Sequence, residues 1–289
     1  MTAIIEEFTS APRRFSIGTA IRRNPTITFG AVLLLALIAV AIVGPFFVGD
    51  PFKIAPVNRL RPPSERWWFG TDQFGRDVFS RTVYGSRVSL IVGLSVAAFS
   101  SVVGLAMGLA CGYFRRVDGI VMRVMDGLMA IPSILLAIAL ITLTRPGLGI
   151  VIVAIVIPEV PRIVRVVRAV VLSIRSQPYI ESAIAGGTKN VKLLWRHVLP
   201  NTLAPLIVQS TYVCASAMLI EAGLSFLGAG VPPEIPSWGN IIAQGRTFFQ
   251  IAPWTILIPG GFLALTVLAV NLLGDGLRDR LDPRLARRL

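Results

Sequence analysis

Six stretches of the sequence carry no Asp, Glu, Lys or Arg, and they restrict the fold more than any other feature. These stretches are residues 24–49, 88–114, 127–144, 146–158, 198–220 and 247–274. A helix needs ~18 apolar residues to cross the hydrocarbon core of a bilayer, and five of the stretches reach that length. The fourth is shorter and must continue past Glu159 toward Arg162. The sequence therefore predicts an all-α integral membrane protein with six transmembrane helices.

Composition agrees with this class, because 54% of the residues are hydrophobic and the mean hydropathy is +0.73. The net charge of +13 is spread over the segments that flank the apolar stretches instead of forming one patch. Membrane lipids with anionic headgroups are therefore the expected counter-charge, and nucleic acid is not an expected partner.

The positions of Lys and Arg predict the orientation of the helices. With a cytoplasmic N-terminus, 19 of the 28 basic residues fall in cytoplasmic segments, and most of the others lie in one long outside loop. Both termini are therefore predicted to be cytoplasmic. The predicted organisation is an N-terminal tail (1–27), a first transmembrane helix with a periplasmic loop and a surface helix (28–87), a five-helix core (88–275) with a cytoplasmic loop (176–201), and a C-terminal tail (276–289).

Catalytic and metal-binding residues are scarce. His197 is the only histidine in the sequence, and no nucleophile lies beside it. Cys111 and Cys214 both lie in apolar stretches, which favours packing over a metal site or a disulfide. The phosphate-binding pattern G-x-x-x-x-G-K-[ST] does not occur. We therefore expect no enzyme activity, no metal and no cofactor on this chain, so any nucleotide must be held by another protein.

A polar segment at residues 179–201 has the pattern of two short helices around a glycine hinge. Pro178 suits the first turn of a helix, and Glu181 suits its positively polarised N-terminal end. Gly186 and Gly187 are predicted to end this helix, and Asn190 is predicted to cap a second one that Pro200 stops. The pattern predicts an interaction element, with an ordinary amphipathic loop as the alternative.

This segment resembles the EAA loop of ABC importer permeases. The matching positions are Tyr179, Glu181, Ser182, Ala183, Gly187, His197, Pro200 and Asn201, with Ser182 where the family prefers alanine. The resemblance implies the type I ABC importer permease fold and a cytoplasmic loop that docks into a groove on an ATPase subunit. It also implies that ATP and Mg are bound by the partner ATPases.

A second set of residues narrows the family. Gly70, Thr71, Asp72, Gly75, Arg76 and Asp77 resemble the GTDxxGRD signature of the peptide/nickel importer permeases. Residues 224–228, 236–240 and 271–284 are similar to the C-type member of that group. The implied partners are a homologous sister permease, two ATPases and a periplasmic or lipid-anchored substrate-binding protein, at the bacterial inner membrane. Dipeptides and oligopeptides are the expected substrates, with nickel chelates, glutathione and opine-like compounds as alternatives.

The signature also has a local physical interpretation. Gly70 and Gly75 permit positive φ, and Asp72 can accept a hydrogen bond from the backbone two residues on, so a tight turn is predicted. An amphipathic helix is expected to follow along the membrane surface from Val78 toward Arg87. For the charged residues of this loop we predict pairing with one another, with a clamp on a periplasmic partner as the alternative.

The fourth span departs from the family pattern Trp-Pro-x-Tyr-Ala-Arg. Residues 160–165 read Val-Pro-Arg-Ile-Val-Arg here and follow Pro158 and Glu159. Glu159 is costly in lipid, so it should face Arg162, the permease dimer interface or water. The candidate substrate path comprises Glu159, Gln209, Ser216 and Glu221. For Glu221, an ion pair with an outside arginine is the structural alternative.

Gly104, Gly108 and Gly112 recur at four-residue spacing in the second span, which lets another helix approach closely. The neighbour is either in this chain or in the sister permease. An ion-gradient-driven secondary transporter is the rival functional class. It would predict inverted repeats and several ionisable residues in the spans, which this sequence does not offer.

Overall fold

The computed structural model describes residues 25–144 and 147–281. Within these ranges the chain is helical, and an isolated bridge between Thr71 and Asp77 is its only β-type pairing. Most of the predicted N-terminal tail lies outside the described residues, as does the end of the C-terminal tail. The helices are α1 (Pro25–Val43), α2 (Val78–Tyr113), α3 (Arg115–Ala130), α4 (Ser133–Thr142), α5 (Leu148–Arg175), α6 (Pro178–Ala185), α7 (Asn190–Phe226), α8 (Trp238–Gly245) and α9 (Trp254–Leu281).

The all-helical membrane class is confirmed for the described residues. Four helices, α1, α2, α7 and α9, are long and apolar enough to span a membrane, and the bent pair α3 and α4 raises the count to five. Helix α5 has 28 residues, so it measures ~42 Å, but it carries Glu159 and several arginines. Six spans stays a prediction.

Helix α2 forms the centre of the core, because α5 and α7 pack along it. The glycine face of α2 makes the contact with α5. A Cβ added at Gly104 would lie 2.5 Å from Ile163, one at Gly108 would lie 2.6 Å from Val167, and one at Gly112 would lie 2.5 Å from Val171. The neighbour that these glycines admit is therefore a helix of the same chain.

The surface helix predicted between Val78 and Arg87 is wrong as a separate element, because α2 runs unbroken through it for 36 residues. The predicted boundary at 87/88 therefore lies inside a helix. The charged residues do not interrupt α2 because their partners are elsewhere in the chain. Arg87 donates from Nε to the carbonyl of Ala41 at 2.6 Å and from Nη2 to that of Ile42 at 2.8 Å, which satisfies the C-terminal end of α1.

The third apolar stretch does not form a straight helix. Helices α3 and α4 meet at 90°. Pro132 disfavours the α region for the residue before it, and Ile131 has φ −93° and ψ 129°. Helix α4 has only 10 residues, so at ~15 Å it covers about half of the hydrocarbon core.

Pro200 does not stop a helix, contrary to the prediction. Residues Leu194–Val198 form a π-helical turn in which the N–H of Leu199 donates to the carbonyl of Leu194. This wider turn accommodates the proline, which has no N–H of its own, and the helix continues as the long span of α7. Asn190 does not cap the helix either, since its Oδ1 accepts a 2.6 Å hydrogen bond from the Tyr113 hydroxyl.

Candidate functional site

Helix α6 ends in a well-formed glycine cap. The N–H of Thr188 donates to the carbonyl of Ala183 at 3.0 Å, and the N–H of Gly187 donates to that of Ile184 at 2.9 Å. These two bonds make a Schellman motif, which places Gly187 in the left-handed region with φ +76°. The predicted helix and glycine hinge are thus present, with Glu181 exposed in the first turn of α6.

The segment from α6 to the π turn presents apolar side chains on its surface. Ile184 is 50% exposed, Val191 67% and Trp195 69%. Beneath them, Ile180 and Leu193 are fully buried and fix the two short helices to the core. Exposed apolar side chains on a segment that is otherwise polar are typical of a protein-binding surface.

The remaining predicted residues of this segment serve its internal structure. Ser182 donates from Oγ to the carbonyl of Pro178 at 2.9 Å, and Asn201 donates from Nδ2 to that of His197 at 2.6 Å. The Tyr179 and His197 rings lie 6.3 Å apart, which brings the start of α6 to the start of α7. Arg175 joins this region to the end of α2, since its Nη1 donates to the carbonyl of Tyr113 at 2.9 Å.

The signature residues 70–77 fold onto the start of α2. Asp72 accepts at Oδ1 from the N–H of Phe74 at 2.8 Å, as predicted, and Gly70 and Gly75 have φ +72° and +73°. Asp77 is the N-cap of α2, because it accepts from the N–H of Ser80 at 3.0 Å.

Two of the arginines near this loop pair internally, but with Asp72, whereas Asp77 caps α2 and Arg87 binds the carbonyls of α1. Arg76 Nε lies 2.6 Å from Asp72 Oδ2, and Arg81 Nη1 lies 3.6 Å from the same oxygen. Both guanidinium groups also donate to Gln244 Oε1, at 2.6 and 3.2 Å, and Gln244 Nε2 donates to the carbonyl of Pro233. The signature is therefore bound to helix α8 through one glutamine.

We expect Gly75→Ala to unfold this loop locally. A Cβ there would lie 1.8 Å from the carbonyl oxygen of Ala55, and φ is positive, so the backbone must move. The expected result is cleavage of the 50–77 segment by protease about ten-fold faster than in the wild type, in detergent. Gly127→Ala is the matched control, because nothing lies within 4 Å of its added Cβ. Equal cleavage of the two variants would contradict this role for Gly75.

Glu159 is fully buried and contacts Arg162, whose Nη1 lies 3.2 Å from Oε1. Ser216 of α7 donates a long 3.4 Å hydrogen bond to the same oxygen. Two of the candidate path residues are thus brought together. Gln209 lies half-buried on α7, and no hydrogen bond joins it to Glu159 or Ser216 within the described residues.

Glu221 is not part of this group, and the ion pair with an outside arginine, which was the alternative for it, is not present within residues 25–144 and 147–281. Its Oε1 accepts from Ser225 and Ser237, each at 2.8 Å. Ser237 is the N-cap of α8, and it also accepts from the N–H of Asn240. Glu221 therefore fastens α7 to α8 in place of lining a path with Glu159.

Comparison with known proteins decides the family. Residues 100–287 match the family described as binding-protein-dependent transport system inner membrane component. The chain belongs to this family. Residues 176–201, the loop that resembles the EAA element, lie inside the matched range, while the signature at 70–77 precedes it.

Individual relatives match this sequence over most of its length. A probable peptide ABC transporter permease from Sinorhizobium fredii is 57% identical over 92% of this chain and 92% of its own. The dipeptide transport system permease DppC from Alkalihalophilus pseudofirmus is 42% identical, over 92% of this chain and 88% of its own. The oligopeptide transport system permease OppC of Bacillus subtilis is 36% identical, over 92% and 88% respectively.

The fold has a counterpart among solved structures. A chain of the MetNI methionine ABC transporter in an inward-facing conformation aligns with a TM-score of 0.56 and 21% identity. The alignment covers 70% of this chain and 96% of that chain. At 21% identity this alignment shows a shared fold and nothing more.

Sequence reasoning missed several residues that organise these sites. They are Ser225 and Ser237 at Glu221, and Gln244 at the two arginines. Ser225 and Ser237 stand in two stretches that resemble the family, so the signal was present. Their meeting point was hidden because Ser237 reaches Glu221 from outside α7, whereas Ser225 lies one turn from Glu221 on the same helix.

Proposed function

We propose that the chain is the permease subunit of a binding-protein-dependent ABC importer for peptides. The observation that carries the proposal is the 57% identity, over 92% of both chains, to a relative described as a probable peptide ABC transporter permease. The relatives described as dipeptide and oligopeptide permeases support the same substrate class. The complex would contain a homologous sister permease, two ATPases and a substrate-binding protein, in the inner membrane of a bacterium.

In the proposed topology the chain crosses the membrane six times with both termini in the cytoplasm. The spans are α1, α2, the bent pair α3 and α4, α5, α7 and α9. The excess of Lys and Arg in the segments assigned to the cytoplasm supports this orientation. Helix α6 and the π turn then face the cytosol, and residues 44–77 face the periplasm.

The surface of this segment, with exposed Glu181, Ile184, Gly187, Val191 and Trp195, is the proposed docking site for an ATPase subunit. ATP and Mg would be bound by that subunit, and this chain would supply the element that moves. Because α7 continues from Asn190 through the π turn into a 37-residue helix, its cytoplasmic end and a membrane span belong to one element. The ATPase shifts the permease between two access states only by its differential affinity for them.

The proposed path for the substrate runs along the faces of α5 and α7 beside the contact of Glu159 with Ser216, and Gln209 lies half-buried on α7. Charged residues at membrane depth usually face a bundle interior or a water-filled cavity, which supports a path at Glu159. Glu221 accepts hydrogen bonds from Ser225 and Ser237, which supports a structural role for it instead.

The test is reconstitution of the complex, co-expressed from neighbouring genes, into liposomes with its binding protein. The expected result is uptake of dipeptides and oligopeptides that requires ATP on the side of the membrane where the ATPases lie. Uptake of nickel chelates, glutathione or an opine-like compound in place of peptides would correct the substrate. Uptake driven by an ion gradient alone, or a chain that never co-purifies with an ATPase, would contradict the function.

A further inference from the structure

Arg162 differs from Arg165 and Arg168, the next two arginines on α5. Arg165 Nη2 lies 2.5 Å from Asp126 of α3, and Arg168 donates from both Nε and Nη2 to the carboxylate of Asp118. These two pairs join α5 to α3. Arg162 has no such partner on a neighbouring helix among residues 25–144 and 147–281. Its side chain is 47% exposed, so a group from outside the chain can reach it.

Only one edge of the Arg162 guanidinium is used. Nη1 donates to both oxygens of Glu159, at 3.2 and 3.3 Å. Nε and Nη2 make no hydrogen bond within the part of the chain that the structure describes. These two nitrogens form the edge that binds a carboxylate with two parallel hydrogen bonds.

Arg162 lies near the middle of α5, ~20 Å from either end of this helix, where its apolar half meets the half that carries the arginines. An anionic lipid headgroup is therefore the rival partner, and it predicts an acid-to-amide uptake ratio that does not depend on Arg162. The neighbouring Glu159 is 0% exposed, so the negative charge faces inward and the positive charge faces outward. An anion approaching from the exposed side meets the guanidinium first.

We propose that Arg162 binds the carboxylate group of the transported peptide through Nε and Nη2, and that Glu159 and Ser216 hold the guanidinium in place. This inference rests on the proposed function, because it assigns a residue to the path of that importer. All peptides with a free C-terminus carry a carboxylate. Such a site therefore recognises peptides as a class and does not select among their side chains. Arg162 is then a specificity-determining residue, and Glu159 is a positioning residue.

The experiment compares peptides that differ only in this group. Liposomes with the reconstituted complex receive a mixture of dipeptides to pentapeptides with free C-termini and the same mixture with C-terminal amides. The ratio of acid to amide uptake is measured by mass spectrometry at limiting peptide concentration. For Arg162→Gln we expect this ratio to fall about ten-fold relative to the wild type with the same binding protein, because a charge-assisted hydrogen bond is lost.

Matched variants separate binding from structure. Arg165→Gln removes an arginine one turn away whose partner is Asp126, and the acid-to-amide ratio is expected to stay at the wild-type value. Arg162→Lys keeps the positive charge without the two-nitrogen edge, so an intermediate ratio is expected. Glu159→Gln is expected to lower the ratio less than Arg162→Gln, since it acts only through the orientation of the arginine.

An unchanged ratio in Arg162→Gln would overturn the inference. So would loss of the sister permease from purified Arg162→Gln complex, since this would make the arginine an interface residue. Both outcomes leave ATP-driven peptide uptake by the wild type intact. If the wild-type complex itself accumulates no peptide, the proposed function fails.

Discussion

Glu181→Arg is expected to abolish peptide uptake while the partner ATPases continue to hydrolyse ATP. Glu181 is exposed in the first turn of α6, so the change removes no core contact and the chain should still insert. Reversal of its charge at the proposed docking surface costs ~2 kcal/mol or more of docking free energy, which is about a 30-fold loss of affinity. The measurement is the number of peptides taken up per phosphate released by reconstituted complex.

Gly187 offers a second variant of the same surface with a matched control. Nothing lies within 4 Å of a Cβ added at Gly187. A substitution there therefore acts through the backbone strain of a side chain at φ +76° and through any charge it adds. Asp and Asn both tolerate the left-handed region at a similar cost, so Gly187→Asp and Gly187→Asn differ mainly in charge. We expect Gly187→Asp to uncouple uptake from hydrolysis and Gly187→Asn to retain most of the coupling. Wild-type uptake per phosphate in both Glu181→Arg and Gly187→Asp would contradict the docking surface.

The features that the sequence predicted well are those set by local chemistry. Gly70 and Gly75 have positive φ, as predicted for the turn, and Gly187 follows the end of α6 with φ +76°. Asp72 accepts a hydrogen bond from the backbone two residues later. Each of these depends on a few consecutive residues, so the information needed to predict it is contained in the segment itself.

The features that it missed depend on distant partners. The sequence predicts a separate surface helix from Val78 toward Arg87, but Arg81 donates to Gln244 and Arg87 to the carbonyls of α1, and both lie within one continuous helix. Pro200 is tolerated because a π turn precedes it. A helix-stopping rule that considers only the proline cannot anticipate that change of register. Glu221 was assigned to the wrong partners for a related reason, because Ser237 reaches it from a segment sixteen residues away.

Gly108→Leu is expected to destabilise the whole helical core. The added Cβ would lie 2.6 Å from Val167 Cβ and 3.0 Å from the carbonyl oxygen of Val164, so α2 and α5 would have to move apart. Overpacking of a close interface costs ~1–3 kcal/mol, and more where the backbone itself is the obstacle. The measurement is thermal unfolding of the detergent-solubilised chain, monitored by loss of helical circular dichroism and by aggregation.

Gly119→Leu is the matched control for this change. Gly119 is also helical, but nothing lies within 4 Å of its added Cβ, so the same side chain enters open space on α3. We expect this control to unfold near the wild-type temperature, and Gly108→Ala to fall between the wild type and Gly108→Leu. If Gly108→Leu and Gly119→Leu unfolded at the same temperature, the contact between α2 and α5 would not be the one that holds the core. The glycine face would then have to pack against another chain, because a close helix approach is the property that such residues provide.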